Sequence, residues 1–260
     1  MNTMTICKIF TSFMRMARLS HRIMRISYKV RHESSGRKRH AKKKSVWGLA
    51  VLLGVLCLAS CDDYQPEDHA VHVGYILCDD HSCMDTATYF SQSSRKAVGV
   101  VFAEQTEDHP LMAVMLEEVD GVFCDSVGLA NGTSGSLTDY DGSANTRAMQ
   151  NSYNAETGKG SPLAMTLYTF HEGGQSDYLP SVAEQRLLNV AAKRVNFVIE
   201  RLGGTPISFE GDCWYWTSTE VSDNSGYQAW LCSAANGGIL ETPKTESHKA
   251  RAIVQVNYTN

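Results

Sequence analysis

Residues 181–203 carry the most regular alternation of apolar and polar positions in this chain. Leu187, Leu188, Ala191, Val195, Val198, Ile199 and Leu202 recur at the spacing of one buried helix face. Ser181 follows Pro180 and stands three residues before Glu184, a pair that predicts a capping box in which the two side chains satisfy free backbone N–H groups reciprocally. Gly203-Gly204 supplies a left-handed stop, and the helix between these signals spans roughly 30 Å. Upstream, residues 71–77, 97–102 and 111–116 are short apolar runs between polar loops and predict strands. Residues 128–142 are rich in Gly, Ser, Thr, Asn and Asp and predict a loop. Asn145 then caps a short helix through Arg147, Ala148 and Met149. Near the C-terminus, residues 213–219 are aromatic and β-branched, residues 228–232 follow across a polar loop and residues 250–256 end the chain; together they predict an antiparallel meander, joined by loops of Ser, Asp, Asn and Gly.

The N-terminal part has a different character. Residues 47–59 form a thirteen-residue apolar run behind a strongly basic leader, too short for the roughly 20 residues that cross a bilayer. It ends in Leu58-Ala59-Ser60-Cys61. A basic start, a short apolar middle and small residues before a cut describe a secretory signal, and the ending resembles the lipobox of bacterial lipoproteins. The resemblance implies that Cys61 becomes a lipidated first residue and that residues 1–60 belong to no fold. Met24 is an alternative start within the long leader. Residues 61–70, with Asp62, Asp63, Glu67 and Asp68, read as a flexible acidic tether, and residues 71–260 as a single domain of ordinary size. In some bacterial lineages an acidic stretch after the lipidated cysteine resembles a surface-export signal, while in others an Asp there retains the protein at the inner membrane. The expected location is the cell envelope, lipid-anchored to a bacterial membrane, foremost the outer membrane and its exposed surface.

Charge agrees with that division. Thirteen of the 24 Lys and Arg and one of the 28 acids precede Cys61, so the leader carries +12 and the remainder, with 11 bases and 27 acids, −16. A basic leader faces an anionic inner leaflet. An acidic domain excludes nucleic acid as the expected partner, because phosphates need Lys and Arg to neutralise them. Five cysteines follow the anchor: Cys78, Cys83, Cys124, Cys213 and Cys232. Outside the cytoplasm disulfides persist, and the odd number leaves a thiol over; Cys78/Cys83 and Cys213/Cys232 are the pairs to test. No C-x-x-C or H-x-x-x-H spacing joins them, so no metal is expected.

A set of short motifs then appears in fixed order: Asp141-Gly142 with Asn145-Thr146, Tyr178-Leu179-Pro180-Ser181 with Glu184, the run from Tyr215 and Trp216 to Glu220, Ala229-Trp230, Asn236-Gly237 and Arg251. Together they resemble the bacterial DUF1566 family, related to the Fibrobacter succinogenes major paralogous domain, over residues 136–256. The resemblance implies an α+β, C-type-lectin-like fold of the formylglycine-generating-enzyme variety: a twisted antiparallel sheet, one long and one short helix, and first and last strands side by side. Tyr178 stands where the family often shows Trp-Arg, and Trp214 is an added aromatic. Trp216 and Trp230 read as packed anchors, and Arg251 as part of the scaffold.

Chemistry is sparse. The formylglycine-generating relatives use paired cysteines, and Cys213 with Cys232 reads as a disulfide clamp instead; a cysteine-oxidase role is an outlying alternative. His171 beside Glu172 reads as a solvated loop pair. Asp139, Tyr140, Asp141 and Gly142 begin like a calcium loop without the later ligands. No catalytic residue and no cofactor are expected. What remains is a loop surface rich in the Tyr, Ser, Asn and Gly of adaptable binding sites: Asp223, Asn224, Tyr227, Gln228, Ser233, Glu241, Thr245, Glu246 and His248. The segment also resembles the variable region of retroelement-diversified proteins, in which such residues would be the varied, ligand-facing set. The expected function is a non-catalytic envelope lipoprotein presenting these loops to a protein or glycan for binding or adhesion, with a diversified display protein or a structural envelope component as alternatives.

Overall fold

Ser181 Oγ accepts the Glu184 N–H at 3.3 Å, and Glu184 Oε2 accepts the Ser181 N–H at 2.8 Å. The capping box therefore opens the long helix as its sequence predicts, and Gly203, at φ +80°, closes it in the left-handed conformation that glycine adopts without a Cβ clash. This is a computed structural model, which describes residues 70–92, 94–169 and 177–257, all within one compact unit, Asp68–Asn260. Cys61, the acidic tether residues and His171 with Glu172 lie outside the described residues.

In chain order the elements are β1 (Ile76–Cys78), β2 (Cys83–Met84), α1 (Thr86–Gln92), β3 (Ala97–Ala103), β4 (Met112–Met115), β5 (Val119–Val122), α2 (Gly142–Asn151), α3 (Pro162–Thr169), β6 (Asp177–Tyr178), α4 (Val182–Leu202), β7 (Trp214–Glu220), a 3₁₀ turn (Ser222–Asn224), β8 (Gln228–Ser233), β9 (Ile239–Pro243), β10 (Ser247–Ala250) and β11 (Ile253–Gln255). They make an α+β fold with two sheets. One has six strands in the order β2-β1-β3-β4-β11-β6, and the other five in the order β5-β10-β7-β8-β9.

The buried face of α4, through Leu188, Ala192, Val195, Val198 and Ile199, packs on Ile76, Val100, Met112, Val114 and Ile253 of the six-stranded sheet. The opposite face of that sheet, with Leu77, Val101, Ala113 and Val254, meets Met149 of α2, Leu163 and Leu167 of α3, and Trp216, Leu231 and Ala250 of the second sheet. Both faces of the six-stranded sheet are thus covered, which is why β3 and β4 read as continuous apolar runs and not as alternating ones.

Three expectations change. There are two sheets and four described helices where one sheet with a long and a short helix was expected, because α1 and α3 are short and α3 has little amphipathic contrast. The first and last strands are not neighbours: β3 and β4 lie between β1 and β11. The run 250–256 is two strands in different sheets, β10 beside β5 and β7, and β11 beside β4 and β6. The chain breaks at Arg251, whose buried guanidinium turns inward to Glu118 at 3.1 Å and to the carbonyls of Met115, Leu116 and Thr205.

The scattered motifs meet in space. Asn145 Nδ2 donates to Asp141 Oδ1 at 2.8 Å, Leu179 N–H to Thr146 Oγ1 at 2.9 Å, and Ser218 N–H to the Pro180 carbonyl at 2.8 Å. Gly142 lies so close to Glu184 and the Leu179 carbonyl that no side chain fits there. These residues join the 128–142 loop, the start of α4 and the end of β7 into one internal network.

Candidate functional site

β7, β8 and β9 form a meander whose polar loops emerge beside the 125–135 segment. Glu220 ends β7, a carboxylate following six residues of which five are aromatic or β-branched. It is buried, and a buried charge needs partners. Its Oε1 accepts the Asn131 N–H at 2.8 Å and Lys244 Nζ at 2.6 Å; its Oε2 accepts the N–H and hydroxyl of Thr133. Lys244 is equally buried and donates also to the carbonyls of Leu129 at 2.7 Å and Ser225 at 2.8 Å. All three ammonium protons are taken, with the Phe123 ring 5.4 Å away. One ion pair therefore holds together the 128–135 loop, the loop between β7 and β8, and the turn between β9 and β10.

Around that pair, the tips remain in water. Tyr227 is 56 % exposed, and Asp223, Asn224, Thr245 and Glu246 are exposed with it. Lys244 N–H donates to the Tyr227 carbonyl, and Asn224 Nδ2 to Gln228 Oε1 at 2.7 Å, so the backbone beneath these side chains is braced. Gly128 N–H donates to the Gly226 carbonyl at 2.9 Å, which brings the exposed Val127 into the same surface. His248 is half-buried, 3.3 Å from Glu246 Oε2 and edge-on to the Trp216 ring.

The predicted set is therefore partly assembled. Asp223, Asn224, Tyr227, Gln228, Thr245 and Glu246 come from two loops that touch. Glu241 is exposed farther along β9, opposite Trp230. Ser233 is corrected: it is 2 % exposed and not at the surface, and its carbonyl takes a hydrogen bond from Asn189. Trp216 is fully buried with Nε1 donating to the Gly121 carbonyl, while Trp230 is half-buried. Lys244, which reads in the sequence as one more polar loop residue, is the residue that reasoning missed; the signal was Glu220, a charge ending an otherwise core-like strand.

The cysteine pairs are corrected too, since all five described cysteines are free. Cys83 stands opposite Leu77 and packs with it, while Cys78 packs in the other core layer, so the two point to opposite sheet faces. Cys232 stands opposite Tyr215, and Cys213 Sγ lies 3.5 Å from Ser233 Oγ. Burial pushes the Cys232 and Cys83 thiols up to about 11, away from the reactive thiolate range. Among the described residues no group of three or more His, Cys, Asp and Glu could hold a metal ion, and no helix is long and apolar enough to cross a membrane. A concavity of about 330 Å³ lies between α4 and the turn after β8, lined by Arg186, Asn189, Val190 and residues 234–237.

Comparison with known proteins rests on shape. The chain is similar in fold to a fimbrial protein from Bacteroides ovatus ATCC 8483, solved by crystallography, with a TM-score of 0.51. Sequence identity is 12 %, and the match covers 71 % of this chain and 48 % of that one, so this chain corresponds to about half of that protein's length. No protein-family model and no curated protein matches the sequence.

Proposed function

We propose that the protein is a non-catalytic cell-envelope lipoprotein, anchored through Cys61, that presents the loops around Tyr227 to a protein or glycan partner. The observation that carries this reading is the buried Lys244–Glu220 pair, which braces three loops while Tyr227, Asp223, Asn224, Thr245 and Glu246 stay in water. Bracing lowers the entropy lost when a partner binds, and a tyrosine among short polar side chains gives contact area with hydrogen-bonding capacity. The fimbrial fold likeness supports a role at the cell surface. The network from Asp141 to Ser218 supports a DUF1566-type, C-type-lectin-like core, to which β1–β4 would be an addition. Acidic residues and the basic, apolar leader support export.

The test is adhesion of cells carrying the protein with Tyr227→Ala and Glu246→Ala together. Adhesion falls to background while the melting temperature of the purified variant stays within about 1 °C of the parent, since neither side chain is buried. Undiminished adhesion would remove this surface from consideration.

A further inference from the structure

The outer face of α4 carries a charge pattern opposite to that of the rest of the domain. Arg186, Val190, Lys193, Arg194, Phe197, Glu200 and Arg201 are all exposed, and at 100° per residue they fall within about one third of the helix circumference. Val190 is 87 % and Phe197 62 % exposed. Arg201 lies 4.4 Å over the ring of Phe90 on α1 and 5.7 Å from that of Phe197, so the apolar strip continues onto α1. Four of the eleven Lys and Arg after residue 60 thus stand on one helix face, in a segment of net charge −16. Two more of the eleven, Lys244 and Arg251, are buried in ion pairs. Among the described residues, no carboxylate pairs with any of the four helix cations.

We infer that this face lies on the anionic phospholipid surface of the membrane that holds the protein, and this rests on the reading of Cys61 as a lipid anchor. A helix face with Val and Phe in the middle and Arg and Lys at the margins is the pattern of an interfacial helix: the rings enter the headgroup layer and the cations meet phosphates. The chain length fits. Eight residues separate Cys61 from Ala70, at most about 30 Å of extended chain over the nine steps, and Gly74, shortly after, lies against the Arg194 side chain. The outcome would be a fixed orientation, with the side of the domain away from α4 turned outward.

The test uses the full chain, purified without lipid, and vesicles of phosphatidylcholine with and without 30 % phosphatidylglycerol as an order-of-magnitude headgroup charge. The parent is compared with a variant carrying Arg186→Gln, Lys193→Gln, Arg194→Gln and Arg201→Gln, with Phe197→Ser alone, and with a control carrying Arg147→Gln and Lys159→Gln. The basic leader is common to all, so differences belong to the substituted faces. Expected is at least a tenfold weaker partition of the fourfold variant onto anionic vesicles, a smaller loss for Phe197→Ser, none for the control, and convergence of all four in high salt. Equal partition of parent and fourfold variant overturns the proposal. So does a fourfold variant that loses self-association in sedimentation while keeping its vesicle binding, which would make the face a contact between copies. The mass of residue 61 from cells separates the two readings: acylated Cys61 with no effect of α4 defeats this inference alone, and an unmodified Cys61 defeats the anchor.

Discussion

Lys244 Nζ sits 2.6 Å from Glu220 Oε1, with side chains 1 % and 2 % exposed. Two desolvated charges are stable together only because each is fully hydrogen-bonded, and removing one leaves the other buried without its counter-charge. Lys244→Met is expected to cost about 3–5 kcal/mol, read as a lowered denaturation midpoint. Replacing Glu220 by Gln in the same protein restores part of the loss. A Lys244→Met protein of unchanged stability would contradict the bracing argument on which the binding surface depends.

Glu184 carries a pH dependence. Burial raises its carboxyl from 4.5 to about 7 despite the opposing hydrogen bonds from Ser181 and Tyr178. The folded protein therefore binds a proton there that the unfolded chain releases, so this contribution is complete below about pH 4.5 and is lost as pH rises through about 7. Unfolding in urea between pH 5 and pH 8 is expected to show this decline, and Glu184→Gln to flatten it.

Gly142→Ala is expected to destabilise strongly. An added Cβ would meet Glu184 Oε2 and come within 2.7 Å of the Leu179 carbonyl and the Ser181 nitrogen, two of them backbone atoms. By contrast Ser181→Ala removes the cap and the hydrogen bond from its hydroxyl to the Asp139 carbonyl, and costs about 1–2 kcal/mol. Thermal melts of the two variants separate the effects; a milder loss for Gly142→Ala than for Ser181→Ala would show that the loop yields.

Trp216→Ala is expected to cost about 3–5 kcal/mol, because the ring is fully buried, packs at a tilt against Phe123 and donates to the Gly121 carbonyl. Trp230→Ala, at a half-buried site, costs less. Denaturant midpoints rank the pair.

The thiols give a chemical check. Iodoacetamide applied to native protein near pH 8 is expected to spare Cys232, whose buried thiol is pushed up to about 11, and to label all five described cysteines after unfolding. An intact mass two hydrogens short would show a bridge instead.

Ser181, Glu184 and Gly203 made α4 legible in the sequence because caps and period are local: each acts within a few residues, and no distant partner is needed. The strands around Val100, Val114, Trp216 and Leu231 were legible for the same reason. The order of strands was not. Only the tertiary structure decided that β3 and β4 separate β1 from β11 and that Arg251 splits the last run between two sheets, since pairing depends on burial and on partners more than a hundred residues away, such as the Met115 and Leu116 carbonyls. The same holds at the loops. Sequence alone marked Tyr227 and Glu246 as surface residues, but it could not tell Lys244 and Ser233, buried, from their exposed polar neighbours, because polarity is a property of the side chain and burial of the fold.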